Sequence, residues 1–246
     1  MGLLSNKIAL VTGASRGLGR ELCTVFAREG ATVAFNYTRS LEDAEITLEA
    51  IRAHGGMGLA FQTNVLDKKG VWEMVGAIEK DAGIIDILVN NAGVGQVVPL
   101  ALMEEEDWDR MLDIHTKGAF IVSQAVLRGM VRKKQGRILN ISSLAGVKMI
   151  EAPVHYSTAK AALKGFTESL AKEIGRYGIT VNCLAPGVLE SGVSHNLPKA
   201  RLDEYLRYCA LGRVGTHREV AEVAAFLVSE RNSYMTGATI VLDGGV

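Results

Sequence analysis

A short apolar run, Lys7-Ile8-Ala9-Leu10-Val11-Thr12, ends at Gly13-Ala14-Ser15-Arg16-Gly17-Leu18-Gly19, and a helical pattern follows over residues 20–29. No other stretch restricts the fold as much. A mostly apolar strand reads as buried on both faces, which calls for a sheet covered by helices above and below. Glycines permit a tight turn and close approach of backbone to a ligand, and the next helix offers free N–H groups and its positive dipole end to a phosphate. The spacing G-x-x-x-G-x-G, set between strand and helix, predicts a nucleotide-binding turn made of Gly13, Ser15, Arg16, Gly17, Leu18 and Gly19.

The same alternation continues along the chain. Strands are predicted over residues 31–37, 58–63, 84–89, 137–141, 179–184 and 239–243, with helices over 41–53, 67–81, 104–132, 156–176 and 217–227. Strands alternating with helices imply one doubly wound parallel sheet with helices on both faces, an α/β fold. With 246 residues, of which 48% are apolar, the chain reads as a single domain over 1–246. Residues 188–214 are the least regular, with Gly192, Pro198 and Gly212 interrupting a helical piece near 200–209, and suit a substrate lid. The acidic Glu104-Glu105-Glu106-Asp107 reads as a helix cap, and Trp72, Val75 and Ile78 as core.

Charge excludes some functions. The 27 basic and 27 acidic side chains balance, so nothing suggests a general attraction to nucleic acid or an anionic membrane. Cys23, Cys183 and Cys209 are odd in number and lack metal-ligand spacing, which fits small buried fillers in a reduced, cytoplasmic setting. The first residues enter a strand directly and no long uninterrupted apolar run occurs, so neither a signal peptide nor a membrane span is expected.

The second strand ends in Asn36-Tyr37-Thr38-Arg39-Ser40, with no carboxylate before Glu42. In a doubly wound sheet this end lies beside the first glycine turn, where an adenosine ribose sits and an acidic residue commonly holds its hydroxyls. Arg39 and Arg16, with nearby hydroxyls, suit a 2′-phosphate instead, because guanidinium groups offer forked donors to phosphate oxygens. NADP(H) is therefore the expected cofactor. Asn64 and Val65 follow the third strand and face the adenine; Asn91, Ala92 and Gly93 follow the fourth, where amides brace backbone or bind ribose. Tyr156 and Lys160 stand four apart at a helix start, on one face. A nearby ammonium favours phenolate and lowers a tyrosine pKa from roughly 10, making Tyr156 a candidate general acid.

Together, Thr12-Gly13-x3-Gly17-x-Gly19, Asn90-Asn91-Ala92-Gly93, Ser143, Tyr156-x3-Lys160 and Pro186-Gly187 resemble the short-chain dehydrogenase/reductase family over essentially the full length. The resemblance implies a Rossmann fold of about seven strands, a nicotinamide cofactor and a homotetramer. It implies that Tyr156 donates a proton to the substrate carbonyl oxygen, that Ser143 hydrogen-bonds the same oxygen, and that Lys160 lowers the tyrosine pKa and holds the nicotinamide ribose. Pro186, Gly187 and Val188 then line the nicotinamide, with Ser191 placed to bond its carboxamide. The chemistry requires no metal. One position departs from the family: His115 replaces the usual Asn in Asp113-Ile114-His115-Thr116-Lys117-Gly118. His115 either joins the proton relay as a catalytic residue or packs in the helix while a backbone carbonyl holds the relay water.

Within that family the cofactor region, the short terminus and the compact lid most resemble 3-oxoacyl-[acyl-carrier-protein] reductases. The implied reaction is NADPH-dependent reduction of a carrier-bound β-ketone in fatty acid or polyketide-type biosynthesis, with acyl carrier protein as substrate carrier. Lys133, Lys134 and Arg176 are expected to give that acidic partner a basic rim near the active-site entrance. The alternatives are a dehydrogenase or reductase of a free small alcohol, sugar or steroid, and a catalytically silent NADP(H)-binding regulator.

Overall fold

The computed structural model describes residues 2–192 and 199–246, so Pro198 and part of the expected lid lie outside the described residues. In chain order the elements are β1 (Ile8–Val11), α1 (Gly17–Arg28), β2 (Thr32–Tyr37), α2 (Leu41–Ala53), β3 (Gly58–Gln62) and α3 (Lys68–Asp81). There follow β4 (Ile87–Asn90), α4 (Glu105–Leu112), a π-helical turn (Asp113–Lys117), α5 (Gly118–Lys133), β5 (Gly136–Ile141) and α6 (Val154–Ile174). The chain closes with β6 (Ile179–Pro186), α7 (Lys199–Tyr208), α8 (His217–Val228) and β7 (Thr239–Leu242). The described strands form one parallel sheet of seven, ordered β3-β2-β1-β4-β5-β6-β7, as a doubly wound fold requires.

Alternation along each strand sends side chains to two separate cores. Val11, Val33, Phe35, Val89 and Leu184 pack with Phe26 of α1, Ile51 of α2 and Val220 and Ala224 of α8. Leu10, Ala34, Leu88, Ile138 and Val181 pack on the other face with Val75 and Ile78 of α3, Val122 and Val126 of α5 and Ala171 of α6. The three cysteines are buried and unpaired, as fillers would be. Caps follow the sequence: Ser40 accepts from Asp43 N–H at 3.0 Å, Asp67 from Gly70 N–H at 3.1 Å, and Asp107 from Glu104 N–H at 3.4 Å. Among the described residues no helix is long and apolar enough to cross a membrane.

Two expectations are corrected. The helix predicted over 104–132 is interrupted by the π turn, a five-residue hydrogen-bond spacing that apolar periodicity does not report. The basic rim is not at the entrance within this chain. Helices of such a fold run against the strands, so their C-termini lie at the sheet's amino edge. Lys133 ends α5 and ion-pairs with Asp86, whose other oxygen accepts Ile8 N–H where β1 starts, and Arg176 lies over the Tyr177 ring just before β6. Ser143 and Tyr156 lie past the opposite, carboxyl end of β5.

Phe26 of α1 is fully buried in the core that also takes in Val220 and Ala224 of α8. Phe26→Ala is expected to cost about 3–5 kcal/mol in urea unfolding, with the m-value unchanged.

Candidate active site

The sheet order reverses between β1 and β4, so their carboxyl ends open a crevice. The glycine turn fills its floor. Gly13 has φ +64°, and a Cβ on it would stand 2.7 Å from Ala92 Cα; a Cβ on Gly19 would stand 2.6 Å from Ala14 Cα. Gly17 has φ +57°, and Arg16 caps α1 with no side-chain bond to its first N–H groups. A backbone this bare at a helix start fits the phosphates of a dinucleotide. Asn91 Nδ2 braces the turn by donating to Thr12 O at 2.9 Å and Gly13 O at 3.2 Å.

The end of β2 divides the expected cofactor residues into two groups. Asn36 is buried, and its amide is committed: Oδ1 accepts Gly13 N–H at 3.1 Å and Nδ2 donates to Thr63 O at 2.7 Å. Tyr37 packs in the core and Ser40 caps α2. These three brace the site instead of presenting side chains to a ligand. Thr38, Arg39 and Arg16 are exposed at the crevice. Beyond β3, Asn64 is exposed while Val65 is buried, with Val65 Cγ2 2.7 Å from where a Cβ on Gly118 would stand.

β5 and α6 bring the chemical groups together. Ser142 Oγ donates to Lys160 O at 2.7 Å, and Lys160 Nζ donates to Ile141 O at 2.8 Å, so one turn of α6 is tied twice to the end of β5. Gly146 makes this approach possible, since a Cβ there would stand 2.6 Å from the Lys160 carbonyl carbon. Lys160 Nζ lies 5.8 Å from the Tyr156 ring centroid. Burial raises the Tyr156 phenol above its ordinary range, and the Ser143 hydroxyl offsets part of that rise. The sequence expects Lys160 to lower this pKa; here burial sets the direction. Burial also pushes the Lys160 ammonium down to about 8.

The π turn aims His115 at the segment after β4. Its Nε2 lies 2.9 Å from Val94 O and 3.2 Å from Val94 N, and its ring stands edge-on to Tyr156 with centroids 5.7 Å apart. A neutral imidazole nitrogen is either donor or acceptor, so Nε2 serves one Val94 group at a time. Burial, and then the Lys160 charge, push the His115 pKa down to about 3, so it is neutral in ordinary working conditions. Gly93 has no side chain, which gives the ring room.

Pro186, Gly187 and Val188 leave β6 at the same edge, followed by the exposed Ser191. Three supporting groups act through bonds that the sequence does not mark. Thr12 Oγ1 accepts Asn91 N–H at 3.0 Å and Ala92 N–H at 2.9 Å. Asn140 joins Asn90 at 2.8 Å and Thr167 at 2.9 Å beneath the site. Tyr205 of α7 bonds Val188 N–H. Each partner is distant in sequence, so no local pattern marks it.

The model of the family described as short chain dehydrogenase matches residues 7–202. The chain belongs to the short-chain dehydrogenase/reductase family. It is accordingly an oxidoreductase of CH-OH and C=O groups from a family that binds nicotinamide cofactors. This dehydrogenase/reductase is 39% identical over 241 residues to the 3-oxoacyl-[acyl-carrier-protein] reductase FabG of Staphylococcus epidermidis, covering 98% of this chain and 99% of that one. It is 37% identical over 243 residues to the FabG of Thermotoga maritima, covering 99% and 98%. Among solved structures, a doubly substituted short-chain dehydrogenase/reductase from Serratia marcescens matches with TM-score 0.91 and 33% identity over 98% of both chains. A gluconate 5-dehydrogenase from Burkholderia cenocepacia, in complex with NADP and tartrate, matches with TM-score 0.92 and 32% identity over 98% of this chain and 95% of that one.

The Lys160 displacement sets a sign for pH. As pH rises through about 8 the buried amine loses its charge, so kcat/KM, which reports the free enzyme, should fall there. In the window from about 8 to 10.5 the unfolded chain holds the extra proton, so folding stability should rise with pH from this group. A kcat/KM plateau extending through the ordinary lysine range would contradict the assignment.

Proposed function

We propose that the protein reduces the ketone of a 3-oxoacyl thioester, presented on acyl carrier protein, to the 3-hydroxyacyl product with NADPH. Full-length similarity to proteins bearing that name, at 37–39% identity, is the observation that carries this reading. The absence of a carboxylate at the end of β2, with Arg16 and Arg39 exposed beside it, supports the phosphorylated cofactor.

When bound, the nicotinamide supplies hydride to the carbonyl carbon. Gly13, Ser15, Gly17, Leu18 and Gly19 hold the pyrophosphate; Arg16, Thr38 and Arg39 take the 2′-phosphate. Asn64 and Val65 border the adenine. Ala92 and Gly93 border the ribose that Lys160 bonds, and the carboxamide meets Val188 and Ser191. Ser143 Oγ holds the substrate carbonyl oxygen, and Tyr156 Oη gives that oxygen its proton as negative charge develops. A phenol held above its usual pKa by burial keeps this proton until then. The Lys160 ammonium, fixed by Ile141 O, stabilises the phenolate left behind. His115 is neutral and engaged with Val94, and we assign it to positioning that backbone beside Tyr156, with proton transfer left to other groups.

A second reading, oxidation or reduction of a free hydroxy acid or sugar, is favoured by the likeness to gluconate 5-dehydrogenase. Turnover of acyl-carrier thioesters beside free keto acids, read as change in reduced-nicotinamide absorbance, separates the two. With the thioester, Tyr156→Phe should lower kcat by at least about 10²-fold with NADPH binding retained. Arg39→Ala should weaken NADPH selectively, leaving NADH turnover unchanged. Preferential turnover of the free substrate would sink the carrier-protein reading.

A further inference from the structure

We propose that Tyr205 is a positioning residue that fixes the turn of residues 186–188 and so lets α7 set the geometry of the nicotinamide side of the site. Its hydroxyl accepts Val188 N–H at 3.1 Å and donates to Asp243 O at 2.9 Å. One oxygen thus joins the turn after β6 to the end of β7 from a helix distant in sequence. The fit depends on Gly187, because a Cβ there would collide with the Tyr205 hydroxyl and stand 2.9 Å from Asp243 Cα.

The turn is held from two sides by separable bonds. Gly187 N–H donates to Leu242 O at 2.9 Å, which is strand-like and independent of α7. Val188 N–H has its bond to Tyr205, while Val188 O accepts Gly215 N–H at 3.0 Å. α7 is in turn anchored to its surroundings: Arg201 ion-pairs with Glu151 in the segment between Ser143 and Tyr156, and in the turn that follows the helix Leu211 N–H donates to Gly244 O at 3.1 Å. Removing the phenol oxygen therefore frees one backbone donor of the turn without unseating the helix. Burial raises the Tyr205 pKa, so the bridging oxygen keeps the proton it donates.

The catalytic consequence rests on the assignment of Pro186, Gly187 and Val188 to the nicotinamide; the structural one does not. Tyr205→Phe keeps the ring and deletes the bridge. In amide hydrogen exchange of the full chain, protection of Val188 should fall by about tenfold, the measure of one lost hydrogen bond, while Gly187 keeps its protection. The kcat for carbonyl reduction should fall about three- to tenfold with the NADPH Kd within about twofold, as expected when alignment and not affinity is lost. Unchanged Val188 protection overturns the positioning role. Lost protection with unchanged kcat overturns its catalytic consequence. A wild-type protein that binds no NADPH would instead overturn the proposed function and leave the exchange result standing.

Discussion

Thr12 stands where β1 ends, and its hydroxyl takes the N–H groups of Asn91 and Ala92 at the end of β4. Those strands flank the point at which the sheet reverses its order. The hydroxyl and the Asn91 amide, which returns to Thr12 O and Gly13 O, make the glycine turn and the Asn-Asn-Ala-Gly segment one mechanical piece. Without the hydroxyl the Asn91 and Ala92 N–H groups would lose their shared partner, and without the amide the Thr12 and Gly13 carbonyls would lose theirs. The chain of contact continues outward: His115 leans on Gly93 and Val94, and Tyr156 stands edge-on to His115. The glycine turn and Tyr156 are therefore positioned through a single run of backbone.

The electrostatics of the centre follow from the same packing. His115 and His155 are both buried and both have pKa values pushed down, chiefly by desolvation. The Lys160 charge lowers His115 further. His115 thus stays neutral, the His155 pKa is displaced in the same direction, and Lys160 is left as the cation beside the phenol. Burial works on Lys160 as well, and its bonding to Ile141 O favours the charged form that a nearby phenolate would need.

Local features are the ones legible in the sequence. Strand periodicity, the glycine spacing and the Tyr156 to Lys160 turn depend on neighbours within a few residues, and the sheet and the grouping at its carboxyl edge follow from them. The π turn at His115 is not legible, because side-chain polarity does not report the hydrogen-bond spacing of the backbone that carries it. Lys133, Lys134 and Arg176 mislead for another reason: charge alone does not say which edge of the sheet a helix C-terminus occupies. Thr12, Asn140 and Tyr205 act through partners from 17 to 80 residues away, and even where a motif includes the residue, as with Thr12, its spacing does not name the partner.

Asn36 shows why the end of β2 separates rigidity from selectivity. The position must accept from Gly13 N–H and donate to Thr63 O, and a side-chain amide has one group for each. A carboxylate there could accept but not donate, and would leave the Thr63 carbonyl without that partner. Asn36 is thus committed to holding the glycine turn at Gly13, whose φ is +64°. The side chains left exposed at the crevice are those just beyond the strand, Thr38 and Arg39, with Arg16 from the glycine turn. They take no part in the Asn36 bonds that hold the turn, so on the proposed function changing them would alter which nucleotide is preferred without loosening the glycine turn.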